Sequence, residues 1–187
     1  MSADQPSTFS PKPPGTGSLR PRRTSRRISS TSAKHGNATL PTTGPIYLDA
    51  GGFIYSVERI EPYCTLLEPL WRQAQAGQFL IVSSELVVLE TLVKPLREGD
   101  TVLVQLFRAL LHAREVQLIP ATLSLWEHAA RLRAHTGLKT PDALHAATAP
   151  DVASTLCITN DRDFRRVVGL PVVVLDDVLS AEERDTV

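Results

Sequence analysis

Five acidic side chains are placed along this sequence where they could meet at one site. Asp49 directly follows a short apolar run that predicts a β-strand, and Asp161 and Asp163 come just after another. Asp142 falls in the first turn of a predicted helix, and Glu90 lies inside a different one. Carboxylates held close together repel one another, and a divalent cation such as Mg²⁺ or Mn²⁺ relieves that repulsion. Such a cation can hold a phosphate, activate water and stabilise the departing oxygen, which is the chemistry of phosphodiester cleavage.

Each of these acids also has a purely structural interpretation. Asp142 sits where an acid is stabilised by the helix dipole, and Asp161 is equally suited to a turn or a cap. Glu90 is more informative because it interrupts the apolar helix face of Leu86, Leu89 and Val93, where an unpaired acid is costly. Spacing alone therefore supports a candidate acidic metal site and nothing more specific.

The elements that must position these acids alternate between strands and helices. Apolar runs predict strands over residues 46–48, 79–82, 116–119, 156–159 and 172–175. Apolar periodicity predicts helices over residues 61–76, 123–133 and 141–149, and two more that begin after the caps Ser84 and Asp100. We expect Thr140 to cap the helix over 141–149 and Pro150 to end it early. The alternation indicates an α/β fold with a mainly parallel central sheet flanked by helices, whose functional groups gather at the carboxyl ends of the strands.

Charge divides the chain near residue 45. The 187 residues carry 20 Lys and Arg and 20 Asp and Glu, but residues 1–45 hold seven of the cations and one anion. We predict that residues 1–44 form a disordered, basic arm rich in Pro, Ser and Arg, and that residues 45–187 form the folded domain. The basic cluster at residues 20–27 is suited to electrostatic contact with nucleic acid. Two alternatives stay open, namely a solvated tail without a partner and a wrongly chosen start codon.

Composition excludes several other classes of protein. Cys64 and Cys157 fit neither a disulfide framework nor a zinc site, and we interpret both as small buried apolar residues. No apolar run approaches the ~20 residues that span a bilayer, and no secretory signal opens the sequence. These features predict a soluble, cytoplasmic protein with no membrane partner. Trp71 and Trp126 are interpreted as core residues rather than as platforms for stacking bases.

Four segments resemble, in order, the acidic motifs of the PIN-domain ribonucleases. They are residues 46–55 (IYLDAGGFIY), 83–95 (SSELVVLETLVKP), 140–149 (TPDALHAATA) and 159–164 (TNDRDF), followed by the closing strand at 172–175. Together they span residues 46–176. The compact length and the motif wording are most similar to the VapC toxins of bacterial toxin–antitoxin pairs.

The resemblance implies a three-layer PIN-like fold and an endoribonuclease that depends on Mg²⁺ or Mn²⁺. Asp49, Glu90, Asp142 and Asp161 map onto the family's metal-binding acids, with Asp163 as a further candidate ligand. The resemblance also implies a homodimer, a structured RNA substrate and a cognate antitoxin that blocks the site. It therefore predicts the toxin component of a VapBC-type system.

The sequence departs from the family pattern beside the first acid. Ala50 and Gly51 stand where Thr or Ser and then Asn or Ser are usual, so a hydroxyl or amide that would orient water or metal is missing. A catalytically weakened PIN-like scaffold that binds RNA or protein is therefore the alternative function. A metal-dependent phosphatase or DNA nuclease with the same acids is a third.

Three further polar residues have two interpretations each. Lys139 and Arg162 flank two of the acids, and they are either contacts for substrate phosphates or ordinary solvated charges. His145 lies three residues after Asp142 on the same helix face, where it would either assist near the metal or simply be packed and hydrogen-bonded. We interpret the apolar stripe of Leu103, Leu106, Phe107 and Leu110 as core.

Overall fold

The computed structural model describes residues 44–185 of the protein. Its centre is a five-stranded sheet of strand order β3-β2-β1-β4-β5, in which every neighbouring pair is parallel. The strands are β1 (Ile46–Leu48), β2 (Ile81–Ser84), β3 (Val116–Ile119), β4 (Leu156–Thr159) and β5 (Val172–Val174). The predicted α/β fold class and the central parallel sheet are confirmed. The predicted arm, residues 1–44, lies outside the described residues except for Gly44.

Helices connect the strands and cover the sheet. They are α1 (Ala50–Val57), α2 (Tyr63–Gln75), α3 (Leu86–Glu98), α4 (Thr101–Leu111), α5 (Leu123–Thr136), α6 (Thr140–Asp151) and α7 (Leu175–Asp185). A short 3₁₀ helix, Arg162–Arg166, follows β4. The Asp100 carboxylate accepts the Leu103 N–H at 2.8 Å, which confirms the predicted cap of α4.

Alternating side chains of β1 place a hydrophobic core on each face of the sheet. Ile46 and Leu48 point into one core with α1 and α2, whereas Tyr47 points into the other with α5 and α6. All three residues are fully buried. The sheet is therefore the middle layer of a three-layer fold, and β1 lies at its centre.

Two predicted helix starts are wrong. Strand β2 runs two residues later than predicted and includes Ser84, so α3 begins at Leu86 after Glu85, which forms no capping bond. Thr140 is already helical and Lys139 occupies the cap position. The Ser84 hydroxyl accepts the Leu86 N–H at 3.3 Å from one residue before the cap position, so each of the two helix starts differs from the prediction by one residue.

Pro150 also fails to stop its helix early. It lies inside α6, which continues to Asp151. Proline lacks a backbone N–H and so removes one helix hydrogen bond at any interior position, and only one residue of α6 follows Pro150.

Several residues assigned to the core are exposed instead. Leu89 and Val93 are 63% and 54% exposed, so the helix face that Glu90 interrupts is not a buried one. In the stripe of α4, Phe107 is fully buried but Leu106 is 51% exposed, and Trp126 is also partly exposed. Leu96 of α3 and Val102 of α4 are exposed as well. We refer to the exposed apolar residues of these two helices, Leu89, Val93, Leu96, Val102 and Leu106, as the α3–α4 apolar face.

The remaining exclusions concern cysteine and membranes. Cys157 is buried, Cys64 is half-buried, and both are free thiols. Trp71 packs against the first core cluster, as expected. Within residues 44–185, each helix is too short or too polar to cross a membrane.

Candidate functional site

The predicted acids lie at one edge of the sheet. Asp49 follows β1 and caps the N-terminus of α1, and Asp161 follows β4 and caps the 3₁₀ helix. Asp142 lies in the first turn of α6, and Glu90 lies one turn into α3. Because β1 pairs with both β2 and β4, the loops that leave these strands are neighbours. We refer to Asp49, Glu90, Asp142 and Asp161 as the acidic cluster.

Asp49 is held by hydrogen bonds to both of its carboxylate oxygens. The Gly52 N–H donates to Oδ1 at 3.1 Å, and the Thr159 hydroxyl donates to Oδ2 at 2.5 Å. Burial nevertheless raises the pKa of Asp49, because desolvation outweighs these two bonds, and the nearby charge of Glu90 acts in the same direction. A cation bound beside this buried carboxylate would stabilise its ionised form.

Thr159 connects two acids of the cluster, and sequence reasoning did not identify it. Its hydroxyl donates to Asp49 and accepts the N–H of Asp161 at 3.0 Å, while the side chain is fully buried. The Asp161 carboxylate in turn accepts the Asp163 N–H at 2.8 Å. The signal in the sequence is a hydroxyl residue that ends an apolar strand immediately before an Asn-Asp turn.

Asp142 lies within electrostatic range of two further members of the cluster. Burial is the largest cause of its raised pKa, and the charges of Asp161 and Glu90 raise it as well. The charges of Lys139 and His145 oppose this shift. The charges of the cluster therefore act on one another although they come from four separate elements.

Glu90 is bound to a buried histidine. His145 Nε2 lies 2.7 Å from Glu90 Oε2, and His145 Nδ1 lies 2.7 Å from the hydroxyl of Tyr47. The Ser84 N–H donates to the same hydroxyl at 3.0 Å. His145 is packed and hydrogen-bonded, as one of its two interpretations has it, and one of its partners is an acid of the cluster. Tyr47 and Ser84 were missed, although a tyrosine inside the apolar run Ile46–Leu48 is a visible signal.

The other predicted site residues have mixed surroundings. Lys139 occupies the cap position of α6 beside Asp142, where its positive charge offsets part of the rise in the pKa of that acid. Arg162 forms an ion pair with Asp177 at 3.2 Å, and Arg165 binds the same carboxylate. The Asp163 carboxylate pairs with Arg166 at 2.8 Å. The side chains of Asp163 and Arg162 therefore both form ion pairs at the surface, and neither is directed only at the acidic cluster.

The donor chemistry of the cluster fits a hard divalent cation. Its four carboxylates offer the oxygen atoms that such a cation prefers, and burial is the largest cause of the raised pKa of both Asp49 and Asp142. Among residues 44–185, no three His, Cys, Asp or Glu side chains form a ready-made metal site. Mg²⁺ commonly keeps several waters and takes only one or two carboxylates directly, so its binding does not require such a group.

Comparison with known families decides the relationship. The sequence matches the PIN domain family over residues 46–170, a stretch that contains all four acids of the cluster. The chain belongs to the PIN domain family. No curated protein sequence matches it significantly.

Solved structures share this PIN domain fold. The VapBC2 complex of Rickettsia felis, bound to a promoter DNA fragment, has a TM-score of 0.56 at 17% identity and covers 70% of this chain and 98% of that chain. A toxin–antitoxin complex from Klebsiella pneumoniae has a TM-score of 0.51 at 24% identity, covering 69% and 96%. Mycobacterium tuberculosis VapC20, a toxin that cleaves the sarcin–ricin loop, has a TM-score of 0.54 at 17% identity, covering 64% and 92%.

The departure after the first acid has a clear geometry in this PIN domain. Gly52 is required, because a Cβ there would lie 2.3 Å from Leu48 Cδ1. A Cβ at Gly51 would lie 3.2 Å from Asp49 Oδ1, so any side chain at residue 51 points at the acid. Neither Ala50 nor Gly51 offers a hydroxyl, and the hydroxyl that binds Asp49 comes from Thr159 instead.

Proposed function

We propose that this PIN domain is a metal-dependent endoribonuclease whose acidic cluster holds Mg²⁺ or Mn²⁺. The observation that carries the proposal is the convergence of acids from separate elements at one edge of the sheet, where burial first, and then the charges of Asp161 and Glu90, raise the pKa of Asp142. Like charges maintained on separate elements destabilise a fold unless a cation is held among them. Family membership and the toxin neighbours support a nuclease activity.

The contacts around each residue of the site suggest what it would do. Asp49, Glu90, Asp142 and Asp161 would hold the cation, which on binding supplies charge for the phosphate and a more acidic water. Asp49 is fixed through Thr159 and Gly52, so its orientation is set before any ligand arrives. Lys139 at the cap of α6 is placed to contact a substrate phosphate next to Asp142. Arg162 would contact a substrate phosphate only after its ion pair with Asp177 breaks. Asp163 would become a further metal ligand only after its ion pair with Arg166 breaks.

The biological role that we propose is that of a VapC-type toxin. Structures of similar fold include two toxin–antitoxin complexes and a toxin that cleaves the sarcin–ricin loop. By analogy, the substrate is a structured RNA, the partner is a cognate antitoxin that blocks the acidic cluster, and the place of action is the cytoplasm. We also propose that residues 45–187 form the nuclease domain and that residues 1–44 form a basic arm before it.

A homodimer completes the proposal. The α3–α4 apolar face leaves five large aliphatic side chains more than half exposed on two adjacent helices. An apolar patch of this kind typically marks an interaction surface. The family resemblance implies a second copy of the chain as its occupant.

The alternative function is a PIN-like scaffold that binds RNA or a partner but cleaves weakly. Ala50 and Gly51 favour it, because they withhold the hydroxyl or amide that the family usually places beside the first acid. The two functions differ in whether metal-dependent RNA binding is followed by cleavage.

One experiment tests the proposal. The purified full-length protein is incubated with transfer RNA, ribosomal RNA and single-stranded DNA in Mn²⁺ or in EDTA, beside Asp49→Asn and Asp142→Asn. Asp151→Asn is the matched control, since this half-exposed acid pairs with His128 at the opposite end of α6 from Asp142. We expect RNA cleavage in Mn²⁺ alone, lost in both cluster variants and retained in the control.

Other outcomes decide between the remaining functions. Cleavage that persists in EDTA, or full activity in both cluster variants, contradicts a metal nuclease. Metal-dependent RNA binding without cleavage identifies the scaffold. Activity confined to DNA or to small phosphate esters identifies the third function.

A further inference from the structure

A buried hydrogen-bond network leads from the sheet to one acid of the cluster. It consists of the Ser84 N–H, the Tyr47 hydroxyl, the His145 imidazole and the Glu90 carboxylate. Tyr47 is fully buried and His145 is 3% exposed, whereas 26% of the Glu90 side chain is exposed. The network therefore begins in the core and ends at a carboxylate that solvent and ligands can reach.

One set of donors and acceptors satisfies every bond of this network. In it the Ser84 N–H donates to the Tyr47 oxygen, and the Tyr47 O–H donates to His145 Nδ1. An imidazole that accepts at Nδ1 carries its hydrogen at Nε2. Nε2–H then donates to Glu90 Oε2, 2.7 Å away. The rings of Tyr47 and His145 pack edge to face, with centroids 5.9 Å apart.

The assignment fixes which oxygen of Glu90 is left for a ligand. Oε2 is occupied by the imidazole, which leaves Oε1 as the oxygen with which Glu90 would bind a metal. A flexible glutamate on a half-exposed helix face would otherwise sample many rotamers and lose entropy on binding. Outer hydrogen bonds of this type orient metal ligands in proteins generally.

We propose that Tyr47 and His145 are positioning residues that hold Glu90 in a single orientation for the divalent cation. The proposal rests on the proposed metal site, but its hydrogen-bond assignment does not. Tyr47 acts through His145, and His145 acts through Glu90, so neither needs to touch the metal or the RNA. The network also ties α3 and α6, which carry Glu90 and Asp142, to the central strand β1.

The first test measures the hydrogen-bond assignment without any metal. Nitrogen-15 NMR of the metal-free, full-length protein distinguishes the two imidazole tautomers, and the spectrum of His145→Gln identifies the signal of His145 among the five histidines. We expect a hydrogen on Nε2, and a loss of this preference in Tyr47→Phe. A hydrogen on Nδ1 in the wild type overturns the proposal.

The second test measures Mn²⁺ affinity by calorimetry. We expect His145→Leu to weaken binding by about 10-fold or more, Tyr47→Phe to weaken it less, and His145→Gln to recover part of the loss by retaining a donor. The control is Thr91→Val, which removes a buried hydroxyl from the residue beside Glu90 but breaks only bonds within α3. Wild-type affinity in both Tyr47→Phe and His145→Leu overturns the proposal.

The outcomes separate this proposal from the proposed function. If the wild-type protein binds no Mn²⁺, the metal nuclease fails and the positioning role fails with it. If the wild type binds Mn²⁺ and cleaves RNA but the network variants bind equally well, only the positioning role fails. Should His145→Leu not fold, the pair Tyr47→Phe and His145→Gln still decides, because each retains the size of the buried side chain.

Discussion

At the residue scale, polar groups that are not acids organise the cluster. Thr159 binds Asp49 and the backbone of Asp161, and His145 binds Glu90. The positions of Asp49, Asp142 and Asp161 beside strand or helix boundaries could be predicted from the sequence, whereas Glu90 stands out because it interrupts an apolar helix face. Their supporting partners could not, because the pairings join residues 55 to 110 positions apart and depend on how the elements pack.

The first residue-scale prediction concerns Thr159. Thr159→Val keeps the shape of the side chain but leaves Asp49 Oδ2 and the Asp161 N–H without their partner. We expect RNA cleavage to fall by about 10–100-fold, in the range typical of lost outer contacts at metal sites. The control is Thr136→Val, whose hydroxyl likewise donates one bond and accepts a backbone N–H two residues on, but lies at the end of α5. Equal losses in both variants contradict a specific role for Thr159.

The second residue-scale prediction concerns pH. Because the folded-state pKa values of Asp49 and Asp142 are raised, the folded protein retains protons that the unfolded chain has already released. The stability of the metal-free protein therefore falls as pH rises from the ordinary Asp pKa of about 3.9 towards the raised folded values. Asp142→Asn removes one of these charges, so in EDTA its melting temperature should gain on that of the wild type between pH 4 and pH 7.

Calorimetric melting curves across this pH range provide the measurement. The gain should shrink when Mg²⁺ is added, because the cation stabilises the ionised wild-type cluster by binding the folded state. Asp151→Asn should show no comparable change with pH. A pH-independent difference between Asp142→Asn and the wild type would mean that the pKa of Asp142 is not raised in the folded protein.

At the scale of elements, the abrupt junction between β1 and α1 sets the position of the first acid. Helix α1 begins at Ala50, one residue after Asp49, and Asp49 itself caps it. The sequence predicts the strand, but the Gly51-Gly52 pair conceals the helix, because glycine disfavours helices unless close packing requires it. The fully buried side chain of Leu48 packs against Gly52 and leaves no space there for a Cβ.

The prediction at this scale is that Gly52→Ala destabilises the fold. The new Cβ would lie 2.3 and 2.6 Å from two carbons of Leu48, so the core or the start of α1 must move. Overpacking of this kind costs about 1–3 kcal/mol in the free energy of unfolding. Gly51→Ala is the comparison, since its Cβ meets Asp49 Oδ1 at 3.2 Å and no core atom so closely. Urea unfolding that ranks Gly51→Ala below Gly52→Ala in stability would contradict the argument.

At the scale of the whole molecule, exposed apolar surface is concentrated on α3 and α4. Helical periodicity predicted these helices correctly but misassigned Leu89, Val93 and Leu106 to the interior, because an amphipathic pattern does not distinguish a core from an interface. The same limit applies to Trp126. An apolar helix face that packs on a second copy of the chain shows the same apolar periodicity in the sequence as one that packs on the sheet.

The corresponding prediction is that charge on the α3–α4 apolar face shifts the oligomeric state. We expect the wild type to sediment as a dimer and the double variant Val93→Glu with Leu96→Glu to sediment as a monomer at the same concentration. Val168→Glu is the control, because Val168 is 99% exposed and lies outside this face. A wild-type monomer, or a dimer that survives both changes on α3, would contradict the proposed interface.

A further whole-molecule prediction concerns residues 1–44. Deleting them should leave the melting temperature nearly unchanged, because a segment poor in large apolar residues has little surface to bury. If the cations at residues 20–27 contact RNA, the deletion should also weaken RNA binding at low salt and reduce its salt dependence. A large fall in melting temperature would show that the segment packs on the domain.

The parallel pairing of β1 with β4 has a consequence for how the protein is made. The carboxylate of Asp49 acquires its Thr159 partner from a residue 110 positions later, and Tyr47 meets His145 98 positions later. Contacts of such long sequence separation form late, after the intervening loop has closed. A nascent chain that has not yet emerged as far as β4, or a fragment cut before it, therefore holds Asp49, Glu90 and Asp142 but lacks Asp161 and the Thr159 hydroxyl that binds Asp49. For the ribonuclease proposed above, late assembly of the site would confine activity to chains that include β4, which are also the ones that an inhibitor of the folded surface could recognise.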